Sequence, residues 1–232
     1  MMEWHSLTAA ECEKKLGTAK EGLTQAKAAH RLREYGENIL EAPPGKSLLR
    51  RFLEQFKDFM VIILLLAAAV SFLTSWAQGD TDYIDAVIIL LIVNVNAVIG
   101  LVQESRAEKA IEALKKLTSP ETHVLRGGRR MTVHSSELVP GDLVFLSEGD
   151  FVPADLRILD AHNLRAEESA LTGESVPAEK VAEPVFPPET PVGDRRNMLF
   201  SGSSLSGGHA VGVAVETGMN TQVGRIAHMI NS

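Results

Sequence analysis

The chain has 232 residues, a formal net charge of −7, a single cysteine and 45% hydrophobic residues. One thiol, Cys12, rules out an internal disulfide framework and suits a reducing compartment. The acidic balance, with basic residues scattered rather than clustered, gives no footprint for nucleic acid, and no Cys/His spacing suits a metal finger.

The N-terminus is polar and charged, so no cleaved signal peptide is expected. Residues 1–45 read as a small helical cytosolic segment. Gly22-Leu23-Thr24 opens a helix, Ala28, Ala29 and Leu32 suit one buried face, and Tyr35-Gly36 ends it. Glu41-Ala42-Pro43-Pro44-Gly45 reads as a linker. Residues 46–120 form a membrane region that starts with an amphipathic helix, Ser47 to Lys57. There Leu48, Leu49, Phe52, Leu53 and Phe56 interleave with Arg50, Arg51 and Glu54, a pattern suited to a membrane surface.

Phe59 to Trp76 runs for 18 residues without a charge, and Ala86 to Val102 for 17. Each covers most of a hydrocarbon core about 30 Å thick. A pair of core helices in a soluble protein is the alternative, but charge-free runs of this length are uncommon there. Trp76 and Tyr83 lie at the same end of the hairpin, as an interfacial belt would place them. The connecting loop 77–85 holds Asp80, Asp82 and Asp85 and no Lys or Arg. Arg50, Arg51, Lys57, Arg106, Lys109, Lys115 and Lys116 lie outside the hairpin, so the positive-inside rule puts both termini in the cytosol. Ala107, Ala110, Ile111, Leu114 and Leu117 continue the helical spacing to Pro120, making the second span one long helix with a cytosolic stalk. A rigid stalk can transmit rotation into the membrane.

Residues 121–232 change to strand patterning. His123-Val124-Leu125-Arg126 and Met131-Thr132-Val133 flank Gly127-Gly128, a hairpin signal. Short apolar runs follow at Leu143–Leu146, Leu156–Leu159 and Val211–Val215, and residues 181–197 read as an exposed loop. The expected fold class is therefore an α+β membrane protein: a helical N-terminal segment, a two-helix transmembrane hairpin and a mostly β cytosolic domain. Within that domain Leu171-Thr172-Gly173-Glu174-Ser175 is a phosphate-sized turn carrying one acid; taken alone, it reads rather as a plain glycine turn with a solvated Glu and a Ser capping the next element, and only the flanking motifs reverse that reading.

The ordered set of motifs resembles the P-type ATPases, specifically the first third of a calcium-pump-like (type II) member. The resemblance is carried by Gly22-Leu23-Thr24 through Tyr35-Gly36-Glu37-Asn38, Gln55-Phe56-Lys57-Asp58, and Asn96-Ala97 with Gly100 before Gln103-Glu104. It continues through Pro140-Gly141-Asp142, Gly149-Asp150, Pro153-Ala154-Asp155, Glu168-Ser169-x-Leu171-Thr172-Gly173-Glu174-Ser175, Asn197-Met198-Leu199-Phe200-Ser201-Gly202 and Thr217-Gly218-x-x-Thr221-x-x-Gly224. One TGES alone is a weak signal; the set in this order is a strong one. Ala166-Glu167 departs from the family, which usually shows a larger aliphatic and an Asp, and Lys57 stands where animal members tend to carry an acid.

The resemblance implies that 121–232 is an actuator domain, whose TGES loop swings onto an acyl phosphate formed from ATP. Thr172, Gly173, Glu174 and Ser175 are then the catalytic candidates. Glu174 would orient and activate the attacking water, Gly173 would let backbone approach the phosphate, and the two hydroxyls would fix the loop. Asp58 at the mouth of the first span reads as either an acid near an ion entrance or a helix-end charge. Asn94 and Asn96 read as helix–helix hydrogen-bonding groups. The implied cofactors are ATP and Mg2+ in a full-length pump, with Ca2+ the expected cargo. No nucleotide site, phosphorylated Asp (DKTGT) or ion-binding carboxylate set stands in these 232 residues, so the isolated chain is expected to be inactive. The implied partners are the phosphorylation, nucleotide-binding and remaining membrane domains of the same pump, and the lipid bilayer. The expected location is the plasma membrane of a bacterium. Two other readings stay open: a free-standing membrane-anchored actuator-like module without catalysis, and a pump for Na+, H+ or Mg2+.

Overall fold

Two threonines start the N-terminal helices. Thr8 caps α1 (Ala9–Leu16) in a reciprocal capping box with Glu11, and Thr24 caps α2 (Gln25–Tyr35) by accepting from the Lys27 amide. The computed structural model describes residues 2–40, 47–77, 83–117 and 120–231. The linker read at 41–45, and Asp80 and Asp82 of the membrane loop, lie outside them. The chain divides into two compact units, Met1–Glu41 with Ser119–Ser232, and Ala42–Thr118.

The first unit is built on an antiparallel sheet. Its strands are β1 (Glu121–Arg126), β2 (Arg129–His134), β3 (Leu143–Ser147), β4 (Asp155–Glu167), β5 (Ala178–Glu179), β6 (Met198–Leu199) and β7 (Ser204–Glu216). They lie in the order β2-β1-β3-β7-β4-β5, with β6 added to β4. β1 and β2 form the hairpin turned at Gly127-Gly128. β4 and β7 run far beyond the apolar stretches that mark them in the sequence, because irregularities at Ile158/Asp160 and His162/Arg165 let their polar middles stay paired. The core gathers Val124, Leu138, Val144, Leu156, Ile158, Leu164 and Leu199, all buried. The helix α7 (Gln222–Asn231) closes the unit.

The N-terminal segment is part of this unit. Cys12 and Leu16 of α1 pack with Leu143, Met198, Phe200, Val213 and Val215 in a second cluster. The Trp4 indole donates to Glu216 (3.0 Å), Thr18 to the Gly141 carbonyl (2.8 Å), and Arg31 to the Pro140 and Leu16 carbonyls. Asn38 donates to the Ser135 and Pro153 carbonyls and accepts from the Gly218 amide. Before α2, Leu23 bridges Arg126 of β1. Gly22 sits so close to that strand, at a φ of 76°, that a Cβ would overlap the Leu125 carbonyl. Of the α2 face expected to be buried, Ala28 is buried and Leu32 partly so, while Ala29 is exposed.

The second unit holds α3 (Leu48–Gln55), α4 (Phe59–Ala77) and α5 (Ile84–Leu117). Two segments, Phe59–Ala77 and Val87–Ile111, are long and apolar enough to cross a membrane. Their side chains are mostly exposed, among them Phe59, Leu66, Val70, Leu91 and Ile92, which a soluble protein's core helices would bury. Among the described residues the buried positions are Val61 and Ala68 on α4 and Val93 and Ala97 on α5, compact residues that allow close helix approach. At 34 residues α5 spans about 50 Å, longer than a bilayer core. Asp58 caps α4, its carboxylate accepting from the Met60 amide at 2.9 Å, so the helix-end reading describes its contacts. Asn94 turns its amide back onto the Leu90 carbonyl of its own helix (2.8 Å) rather than onto a neighbouring helix. α3 packs along α5 through an Arg51–Glu108 ion pair and a Gln55–Glu104 hydrogen bond, leaving Leu48, Leu49 and Leu53 exposed.

Candidate functional site

Between β4 and β5 the chain makes an excursion that carries Thr172, Gly173, Glu174 and Ser175. It begins with a single helical turn, α6 (Ser169–Thr172), ended by Gly173 at a φ of 77°. That φ favours glycine, and a Cβ at Gly173 would meet nothing within 4 Å. The space over the residue is open. Gly173, Glu174, Ser175 and Val176 are all exposed, while Thr172 is half-buried.

Thr172 organises the turn. Its hydroxyl donates to the Glu168 carbonyl (3.1 Å) and accepts from the Glu174 amide (3.2 Å). The same carbonyl accepts from the Leu171 and Thr172 amides. The Thr172 methyl lies against Gly193, where a Cβ would come within 3.2 Å of it. Leu171 and Val192 pack on the cluster around Cys12 and Phe200. The segment 181–197 is therefore more than an exposed loop, since it backs the turn and is tied down itself. The Phe186 amide and the Asn197 side chain both donate to the His5 carbonyl, and the buried Arg157 guanidinium donates to the Leu7 and Ala182 carbonyls.

At the base of the excursion Glu168 and Lys180 form a buried ion pair. The ammonium is 2.6 Å from Oε1 and 2.7 Å from Oε2, with good hydrogen-bond geometry at Oε2, and lies 5.3 Å from the Phe200 ring centre. Burial pushes the Glu168 carboxyl up and the Lys180 ammonium down, each against the pull of its partner.

Other motif residues hold the scaffold. Asp142 receives Arg126 through both oxygens and also the Val139 amide. Asp155 accepts from the Ser201 amide (2.9 Å) and from the Gln222 amide that begins α7 (2.8 Å). Burial, the largest influence, pushes the Asp155 carboxyl up to about 6 from an ordinary 3.8. A folded-state value above the unfolded one means the contribution is fully present below about pH 4 and lost as pH rises through 6. Relative to Asp155→Asn, the wild-type chain is expected to lose about 2 kcal/mol between pH 4 and pH 7. Urea unfolding of both proteins at several pH values measures this, and a pH-independent difference would contradict it.

A family model described as the P-type ATPase actuator domain matches residues 116–231, and one described as the cation transporter/ATPase N-terminus matches residues 4–71. The chain belongs to the P-type ATPases. Among relatives of this P-type ATPase chain, the calcium-transporting ATPase 1 of Bacillus cereus is 44% identical over 239 residues, covering 100% of the chain and 26% of the relative. The calcium-transporting ATPase of Bacillus subtilis is 43% identical, covering 100% and 25%. The sodium/potassium exporting P-type ATPase 1 of Saccharomyces cerevisiae is 40% identical, covering 97% and 20%. The chain thus spans about a quarter of the length of these P-type ATPases. Its two apolar helices and its family make it part of a membrane protein. The N-terminal segment and the actuator match, separated in sequence by the hairpin, fold into one unit.

The sequence placed the turn. It did not show the Glu168–Lys180 pair, which joins residues 12 apart across an excursion. A Glu before the turn and a Lys after it give little signal, because each has a charged neighbour, Glu167 and Glu179, from which nothing local distinguishes it.

Proposed function

We propose that this chain is the actuator and first membrane hairpin of an ATP-driven cation pump, with Ca2+ as the cargo. In this reading the Thr172–Ser175 turn promotes hydrolysis of an aspartyl phosphate carried elsewhere in the same polypeptide. Both termini face the cytosol, and the pump sits in the plasma membrane of a bacterium. The observation that carries the reading is an exposed carboxylate, Glu174, presented beside an open glycine turn on a buried, ion-paired base.

In the hydrolytic step a water oxygen attacks phosphorus, the bond from phosphorus to the aspartyl oxygen breaks, and the aspartate leaves as a carboxylate. Glu174 orients the water and takes its proton. The Thr172 hydroxyl holds the Glu174 amide, so the acid is aimed by the turn itself. Among the described residues no group of three or more His, Cys, Asp or Glu is placed to hold a metal ion. ATP and Mg2+ belong, on this reading, to the phosphorylation and nucleotide domains. The stalk of α5 serves as the lever that couples the actuator to the membrane.

The test is phosphorylation of the native polypeptide that carries this chain, captured from its host's membranes with an antibody against residues 121–232. With radiolabelled ATP, a band about four times the mass of this chain should form a hydroxylamine-sensitive phosphoprotein when Ca2+ is added. Labelling that follows Na+ instead would move the cargo to the class named by the yeast relative. An unlabelled 25.2 kDa band would replace the pump with a binding module.

A further inference from the structure

Four groups form a continuous chain of contacts from the interior to the exposed acid. Lys180 holds the Glu168 carboxylate, and the Glu168 carbonyl receives the Leu171 and Thr172 amides and the Thr172 hydroxyl. That hydroxyl in turn receives the Glu174 amide. Both ends of Glu168 are thus committed, its side chain to the core and its carbonyl to the turn. Lys180 is fixed as well: its amide donates to the Leu164 carbonyl of β4, and its ammonium lies near the Phe200 ring. The side chains of the pair are 2% and 0% exposed. A stability role alone does not require charge here, because buried ion pairs are often replaceable by apolar groups of similar volume without loss. What such a pair adds is a fixed geometry for the groups it ties together.

We propose that Glu168 and Lys180 are positioning residues: their buried ion pair closes the excursion at its base and sets the orientation of the Thr172–Glu174 turn. This rests on the reading of Glu174 given above. The pair touches no reacting atom. It acts through the Glu168 carbonyl and Thr172, so its loss redirects the Glu174 carboxylate without removing it. Misplacement by about 1 Å can cost about 10²-fold in rate.

Lys180→Ala leaves a carboxylate buried without its partner and is expected to unfold the unit, so the informative variant is Glu168→Gln with Lys180→Met, which keeps volume and carries no charge. In the 232-residue chain in detergent, hydrogen exchange of the amides of residues 171–174, which the turn's own hydrogen bonds protect, should quicken by about 10-fold, with the β4 and β7 amides unchanged. In the full-length polypeptide, phosphoenzyme decay should slow by about 10²-fold while phosphoenzyme formation and the KM for ATP stay as they are. A variant that merely lost folded protein would lower both steps together. Unchanged exchange in residues 171–174 overturns the proposal. Faster exchange with normal decay overturns its link to catalysis. Glu174→Gln, run in parallel, separates the two readings: normal decay there removes the role of Glu174, while the exchange result still decides whether the pair positions the turn.

Discussion

Glu174→Gln in the full-length polypeptide is expected to leave phosphorylation by ATP intact and to slow decay of the phosphoenzyme by about 10² to 10⁴-fold, the range of one lost acid–base group. The substitution is nearly isosteric. The backbone contact that places the residue, its amide donating to the Thr172 hydroxyl, is untouched. The side chain is exposed, so no buried contact is removed and the chain should unfold as wild type does. The amide can still bond a water but cannot accept its proton at neutral pH, so an effect confined to decay isolates proton transfer. The check is a chase experiment: label with radioactive ATP, dilute with unlabelled ATP, and follow the acid-stable phosphoprotein. Accumulation of label at steady state is the companion result, because formation continues while breakdown stalls. Decay at the wild-type rate would reduce the turn to a structural feature.

Much of this architecture was legible in the chain because the signals are local. Charge-free runs of 18 and 17 residues mark the hairpin without any tertiary knowledge, since the requirement they meet is set by lipid thickness. Gly127-Gly128 between alternating residues marks β1 and β2 for the same reason. The Thr172–Ser175 turn was found as a motif, and its glycine proves to be needed for its φ.

The features that escaped are non-local. The helix α1 has only eight residues, two of them buried, so periodicity could not reveal it; Thr8-x-x-Glu11 followed by Gly17 was the available sign. That residues 1–41 complete the β unit rests on contacts such as Trp4 to Glu216 and Asn197 to His5, about 200 residues apart in sequence. No local pattern encodes such pairings. The strands β4 and β7 extend past their apolar signals, because Asp160 to Asn163 and Ser206 to Gly208 lack apolar alternation. Asp142, Asp155 and Asn197 stood out through family resemblance, but their buried hydrogen bonds explain what they do. These aspartates fasten turns and a helix start, and so lend rigidity to the unit that carries the Thr172–Ser175 turn.

That rigidity has its largest single test at Arg126. Replacing Arg126 by Met is expected to destabilise the actuator unit by about 3 to 5 kcal/mol, a large share of the 5–15 kcal/mol that typically holds a domain. Arg126 points inward from β1, where Thr122 and Val124 also face the core. Its guanidinium bonds both oxygens of Asp142, at 2.9 and 2.7 Å, and the Glu137 carbonyl at 3.1 Å. Removing it leaves the Asp142 carboxylate fully buried with the Val139 amide as its remaining donor in this network. Adding Asp142→Asn to the variant discharges that carboxylate, so the double variant should be less destabilised than the sum of the singles by 1 kcal/mol or more, about the scale expected of contacting residues. Denaturant unfolding followed at Trp4, in a Trp76→Phe background, measures all three, because the Trp4 indole is bonded to Glu216 only while residues 1–41 stay docked on the sheet. The backbone of Arg126 also bridges Leu23 of the N-terminal segment, a main-chain contact that the side-chain substitution leaves in place. Strict additivity would mean that the two charges are independently satisfied, and the inward Arg would then need another explanation. Coupling of the expected sign would mean that the pair fixes the Pro140-Gly141-Asp142 turn, to which Thr18 and Arg31 are also bonded. A single buried ion pair would then hold the sheet, the turn and the N-terminal helices in one frame, and that frame is what allows a short exposed loop to carry its acid in a fixed direction.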